Sequence, residues 1–279
     1  MRRLSMKKNQ LISSSIERFY NKASEEDRLS KGMGIFEFER VRKLIGLYVT
    51  DTSVIVDVGG GTGRYAEWLS RNGHQVHLVE PVDKHLKIAE ERSARLRNKF
   101  KVLKGAAARL PFPGQFADVV ILHGPLYHLQ QSEDRLLAIS EARRVLKKGG
   151  VLLGFGISYT ASTLAGLLNG LVHRPAFLEM CKSELTSGIH NPPDEFPWLL
   201  AEAFYHKPAE LRKEFETSGL KVDKMFAVEG LVWLSRDFFS DMARTQNRAV
   251  LTELLQTTEN DESLLSLSPH MMIAGIKEN

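Results

Sequence analysis

The sequence predicts an α/β fold built on a doubly wound sheet of mainly parallel strands, and three observations carry that expectation. Short runs rich in β-branched residues alternate with stretches of helical periodicity between residues 53 and 158. A glycine-rich turn, Gly59-Gly60-Gly61-Thr62-Gly63, stands between the first such run and the helix behind it. An acid, Glu80, closes the second run about twenty residues further on, where a carboxylate can receive both hydrogen bonds of a ribose diol.

Two helices precede the sheet. Leu11, Ile12, Ile16 and Phe19 share helical spacing, as do Phe38, Val41, Leu44, Ile45 and Tyr48, so residues 1–50 are expected as a helical lead-in or lid. Residues 53–58 (SVIVDV) then read as a strand buried on both faces. The helical run from residue 64 stops at Gly73, a C-cap glycine. Residues 75–80 make the second strand, and residues 81–97 a helix with proline in its first turn. Residues 100–105 and 117–124 supply the third and fourth strands. Residues 132–148 form a helix, with Ser132 as its cap and Glu133 and Asp134 in its first turn. Residues 151–158 are the fifth strand.

The alternation breaks at Ser158. Residues 158–206 are expected as a helical or irregular insertion, a cap over the sheet. A helix (208–218), a strand (221–230), two helical stretches (236–257) and a last strand (270–277) complete the pattern. The expectation is thus a Rossmann-like, doubly wound seven-stranded sheet over residues 51–279, with right-handed crossovers.

Composition bounds the function. With 43% hydrophobic and 26% charged residues over 279 positions, the chain can bury a core of its own. A single cysteine, Cys181, excludes a disulfide framework and points to a reducing, cytoplasmic setting. The first twenty residues lack a secretory pattern, and no run approaches the ~18 apolar residues of a membrane span. The net charge of +4 gathers at Arg2, Arg3, Lys7, Lys8 and within residues 92–104, without the interleaved aromatics of a nucleic-acid surface. His173, His190 and His206 lie far apart with no Cys or acid at ligand spacing, so no metal site is expected. Asn191-Pro192-Pro193-Asp194 reads as an ordinary proline turn. It neither follows the fourth strand nor ends in an aromatic, as a base-stacking loop would. The sequence sets no oligomeric state.

The turn discriminates among ligands. Dinucleotide binders use G-x-G-x-x-G, yet Arg64 stands here where the third glycine belongs. Asp57 would repel a pyrophosphate and suits an ammonium group. A ligand carrying a carboxylate and an ammonium at one end and a ribose at the other is S-adenosylmethionine. A nicotinamide dehydrogenase is disfavoured on both counts.

At these residues the chain resembles the class I S-adenosylmethionine-dependent methyltransferases. VIVDVGGGTGRYAEWL resembles their first motif and VHLVEPVDKHLKIAE their second. RLPFPGQFADVVILHGPLYHL and EARRVLKKGGVLLGFGIS are similar to the segments through the fourth and fifth strands. The GPLYHL form with a later helical insertion looks like a group of bacterial small-molecule methyltransferases. The resemblance implies that Gly59, Gly61 and Gly63 line the methionine end and that Asp57 serves the amino group. It places Glu80 on the ribose, Pro81 and Val82 near the adenine, and the carbonyls around Leu122 and His123 at the amino group. One departure is plain. Gly105-Ala106-Ala107-Ala108 lacks the usual acid for the adenine amino group, leaving main-chain groups of Ala106 and Ala107 to meet that edge.

In related folds the lead-in helices cover the cofactor. There Tyr20 can reach the methionine end, and Arg40 either its carboxylate or the nearby Glu37 or Glu39. His128 is the candidate base, its reference pKa lying near neutrality, or else packs the following loop. Tyr127 either closes over the sulfonium or packs. The expected reaction is in-line methyl transfer to a small molecule or small peptide, at N, O or C. The rivals are an RNA or protein methyltransferase and a non-catalytic binding module.

Overall fold

A computed structural model describes residues 11–22 and 25–278. The basic cluster of Arg2, Arg3, Lys7 and Lys8 lies outside them. Three helices lead in: α1 (Ser14–Lys22), α2 (Glu25–Arg28) and α3 (Met33–Ile45). There follow β1 (Val54–Val58), α4 (Arg64–Arg71), β2 (Gln75–Glu80), α5 (Asp83–Ala94), β3 (Lys101–Lys104) and β4 (Ala117–Leu122). A short α6 (Pro125–His128) and α7 (Ser132–Val145) run into the long β5 (Leu146–Ser158). The insertion contributes α8 (Ala161–Leu168), α9 (Pro175–Ser187), β6 (Ile189–His190) and β7 (Ala203–His206). The chain closes with α10 (Pro208–Thr217), β8 (Lys221–Ala227), α11 (Phe238–Ala243), α12 (Thr245–Thr258) and β9 (His270–Ile276).

The sheet runs β3-β2-β1-β4-β5 with all pairs parallel, then β9 antiparallel to β5 and β8 antiparallel to β9. All seven expected strands are therefore present in a doubly wound order. The chain leaves β1 toward β3 and returns on the other side at β4. That reversal opens a crevice at the carboxyl ends of β1 and β4, where ligands of such sheets bind.

The strands bury both faces. Ile55, Leu78, Ile121 and Leu153 pack against α3 and α4 through Val41, Leu44, Ile45 and Leu69. Val56, Val120, Leu152 and Ile273 pack against α7 and α10 through Ala138, Ile139, Leu211 and Phe215. Among the described residues no helix is long and apolar enough to cross a membrane.

Three expectations need correction. The insertion is not wholly helical or irregular, since β7 pairs with Ile157 and Ser158 of β5 beyond the point where β4 stops at Gly154. Tyr205 and His206 are thereby strand residues. The helix expected to reach residue 148 ends at Val145, because Leu146 already pairs with Ala117 across a bulge. Ser132 is the first helical residue and makes no cap, the residue before it, Gln131, being extended. Glu133 and Asp134 alone favour that helix N-terminus.

Candidate active site

β1 ends buried at Asp57 and Val58, and the chain must at once double back into α4. Gly59, Gly61 and Gly63 take φ of +74°, +56° and +81°, a region strained for any side chain. The Gly59 N–H donates to the Val79 carbonyl at 2.8 Å and the His123 N–H to the Val58 carbonyl at 3.1 Å, so the ends of β1, β2 and β4 are held together. A Cβ on Gly59 would stand 2.9 Å from the Pro125 ring, which shows how closely the turn meets α6.

These ends open into a cleft of about 1230 Å³, its open mouth included. Gly59 to Thr62 form one side, and Glu80 to Val82 with Gly105 to Ala108 another. His123 to Pro125 and Tyr127 to Leu129 face them. Leu11, Ile12, Ile16 and Tyr20, in and just before α1, close the cleft together with Arg28 and Leu29.

Glu80 is 3% exposed and its carboxylate is already aimed: Oε2 accepts from the Gly61 N–H and Oε1 from the Val82 N–H, both at 3.0 Å. His85 Nδ1 lies 3.3 Å from the same Oε1. Asp57 lies beneath the turn, fully buried, and neither carboxylate oxygen has a hydrogen-bond partner. Gly60 makes room for it, since a Cβ there would stand 2.5 Å from Asp57 Oδ2. Burial, and then repulsion by Glu80, push the Asp57 carboxyl up to about 7.

On the opposite side His123 is sandwiched between Tyr65 and Phe155, with ring centroids 4.4 and 4.3 Å away. Burial lowers it to about 3, so it is a neutral plate. The Tyr127 hydroxyl donates to the His123 carbonyl at 2.8 Å, which occupies one lone pair of the oxygen assigned to the cofactor amino group. His128, lowered to about 4 by burial, meets the Tyr20 hydroxyl at 2.6 Å.

A charged group lies behind this wall. Arg28 Nη1 pairs with Glu37 at 2.6 Å, and His270 Nδ1 with Glu229 at 2.7 Å. Burial would raise Glu37, but Arg28 and His270 outweigh it and hold that carboxyl down to about 2. Burial would likewise depress His270, but Glu229 and Glu37 push it up to about 9. Each member is answered by an opposite charge. The histidines of the insertion do not gather: His190 pairs with Glu184 and His206 with Glu214.

The structure brings most of the expected residues together. Tyr20, Gly59, Gly61, Glu80, Pro81, Ala106, Ala107, His123, Tyr127 and His128 all line the cleft. Four do not. Arg40 is buried elsewhere, donating from Nε to the Val228 carbonyl at 3.0 Å and pairing through Nη2 with Glu259 at 2.6 Å. Its alternative surface partners are also taken, Glu37 by Arg28 and Glu39 by Arg248. Gly63 packs against Phe100 and Ala89 at the start of α4. Leu122, expected to serve through its main-chain carbonyl, has its side chain in the core, and Asp57 stays under the turn. The reading missed Arg28, Arg64, Tyr65 and His85, all of which line the cleft. Arg28 stands in a polar link with no periodicity to single it out, and Tyr65 reads as a core residue.

A methyltransferase-domain model matches residues 56–154. Demethylmenaquinone methyltransferases from Staphylococcus aureus strains are 27% identical over 214 residues, covering 72% of this chain and 82% of theirs. A solved S-adenosylmethionine-dependent methyltransferase from Methanosarcina mazei shares the fold, with TM-score 0.59 at 17% identity over 84% of this chain and 96% of its own. Another, from Thermotoga maritima, aligns over 94% of this chain and 97% of its own, with TM-score 0.56 at 19% identity. The matched methyltransferase domain begins in β1 and ends in β5, around the glycine turn and Glu80, on the fold that the solved S-adenosylmethionine-dependent methyltransferases share, and S-adenosylmethionine is its cofactor.

Proposed function

We propose that the cleft holds the cofactor with its methionine end along Gly59 to Gly61 and its ribose on Glu80. Its methyl then goes to a small apolar acceptor that enters beside Tyr127 and His128. The observation that carries this is the Glu80 carboxylate, fixed by the Gly61 and Val82 main chain before any ligand arrives. The residues fit the cofactor. A cradle that a Cβ would fill lies over a buried carboxylate without a partner, as an ammonium-bearing ligand requires. When bound, the group supplies a sulfonium methyl that transfers without help to its leaving group.

The protein's share is placement. Glu80 orients the sugar, and Asp57 sets a negative potential under the turn. Arg28, which lines the cleft while its Nη1 pairs with Glu37, stands nearer the carboxylate's place than Arg40, which is turned to Glu259. An antiparallel bridge between Ala106 and Arg109 fixes the Ala106–Ala107 turn, whose main chain lies where the adenine edge would meet it. Tyr127 offers the face of its ring to the sulfonium. A small acceptor is supported by the apolar lining of Ile12, Ile16 and Leu129, and by relatives whose acceptor is demethylmenaquinone. In this reading residues 1–50 act as the lid and residues 158–206 as the cap on the acceptor side.

Glu80→Ala tests the site. Loss of charge-assisted hydrogen bonds should weaken S-adenosylmethionine binding by about 1.5–3 kcal/mol in calorimetry. An unchanged Kd would place the ribose elsewhere.

A further inference from the structure

Resting on the placement of the ribose at Glu80, we propose that His85 is a second sugar-binding residue, whose Nε2 pairs with one ribose hydroxyl while Glu80 holds the other. The cofactor's diol is then divided between two side chains, and each hydroxyl is recognised separately.

Glu80 does not have room for both hydroxyls. A carboxylate offers about four lone-pair positions. Oε1 accepts from the Val82 N–H at 3.0 Å and meets His85 Nδ1 at 3.3 Å, and Oε2 accepts from the Gly61 N–H at 3.0 Å. The protein thus takes three of those positions, and a diol with two hydrogen bonds to donate finds one left. The carboxylate cannot turn to free another without leaving a main-chain N–H of the glycine turn or of Val82 unpaired.

His85 has the opposite imbalance. Glu80 ends β2 and His85 is the third residue of α5, so the short turn through Pro81 and Val82 brings the two side chains together. His85 is 2% exposed and lines the cleft with Glu80. Among the described residues nothing hydrogen-bonds its buried Nε2. A buried polar atom of this kind is costly unless a ligand supplies its partner.

The proton count favours a hydroxyl as that partner. Oε1 of the carboxylate is an acceptor, so Nδ1 faces it as the donor. A neutral ring then presents a lone pair at Nε2, and a protonated ring presents an N–H. A hydroxyl answers either, since it donates through its hydrogen and accepts through its oxygen. An amino group of adenine only donates and a carboxylate only accepts, so neither is matched to both states. The contact between His85 and Glu80 also ties the imidazole to the sugar's place rather than to either end of the cofactor.

The test is calorimetric binding to the whole chain, with S-adenosylhomocysteine and its 2′-deoxy and 3′-deoxy forms as probes. The parent should bind each deoxy form about tenfold more weakly than the intact ligand, because each hydroxyl has its own partner. His85→Asn keeps a side-chain N–H at the place of Nδ1, and with it the contact to Glu80, but ends short of Nε2. This variant should bind the intact ligand about tenfold more weakly than the parent does. It should also bind one deoxy form as tightly as the intact ligand, while the other still loses about tenfold. A parent that binds either deoxy form as tightly as the intact ligand overturns the division of the sugar, and no variant is needed to see it. Equal losses on all three probes in His85→Asn would make His85 a support for Glu80 and overturn its contact with the sugar. Glu80→Ala separates this inference from the reading beneath it. If that variant binds the intact ligand like the parent, the ribose lies elsewhere and both fall. If it weakens binding while the His85 results fail, only the role of His85 is overturned.

Discussion

Asp57 shows how a single buried carboxylate can make the glycine turn sensitive to pH. Its carboxyl stands at about 7 in the folded chain, against an ordinary value of 3.8, so the folded state holds a proton that the unfolded state has released between those values. Stability therefore falls as pH rises from about 4 to 7, the opposite of the usual carboxylate case. The difference of about 3 units corresponds to on the order of 4 kcal/mol. Asp57→Asn removes this titration. Between these pH values the variant's denaturant midpoint should climb relative to the parent, reaching its largest advantage near neutrality. If the two profiles run parallel, Asp57 is not the group that titrates. The same burial should make cofactor binding release protons near neutrality, because an ammonium above the turn favours the ionised carboxylate. Calorimetry in buffers of different ionisation enthalpy reads that release directly.

Elements, rather than single residues, hold the His128 side of the cleft in place. The loop after α6 carries the Leu129 and Gln130 carbonyls, and both accept from Arg135 Nη1, at 2.8 and 2.9 Å. Arg135 is held by Glu214 of α10 at 2.8 Å, and Glu214 in turn meets His206 of β7 at 3.3 Å. Gln130 Nε2 donates to the carbonyls of His190 and Ala203, tying the same loop to β6 and β7. Glu214→Gln leaves a buried guanidinium without its counter-charge and should destabilise the fold by about 3–5 kcal/mol. It should also let the loop behind His128 relax, so kcat falls more than S-adenosylmethionine affinity. A variant with parent stability and parent kcat would show the chain of contacts to be idle.

This network also marks where the sequence stopped being legible. The glycine turn, Glu80 and the strand–helix alternation are local signals at fixed spacing, and they placed most of the cleft. β7 is only four residues, Ala203–His206, and exists because β5 outruns β4, which is a tertiary fact. Arg135 reads as a helical surface residue, yet it is 3% exposed and lies over the Phe204 ring at 3.6 Å. Pairings of this kind across more than fifty residues leave no periodicity to read.

At the scale of the whole molecule, the lead-in helices are bound to the C-terminal end of the chain. Phe36 of α3 packs with Val232, Phe238 and Leu255, and Tyr48 Oη donates to Asp223 at 2.7 Å. Arg40 joins the same seam through Val228 and Glu259. The lead-in helices thus rest on a base that the C-terminal third supplies, while α1 meets the cleft. These are separable functions. Arg40→Ala should remove a buried ion pair and cost about 3–5 kcal/mol of stability, with no change in cofactor contacts. The cofactor-free and cofactor-saturated proteins should then lose the same amount. At a free ligand concentration of about 100 Kd, S-adenosylmethionine should still add about 2.7 kcal/mol to either protein. A Kd raised tenfold or more in Arg40→Ala would instead return Arg40 to the cofactor's carboxylate, and would mean that the seam and the cleft are one cooperative unit.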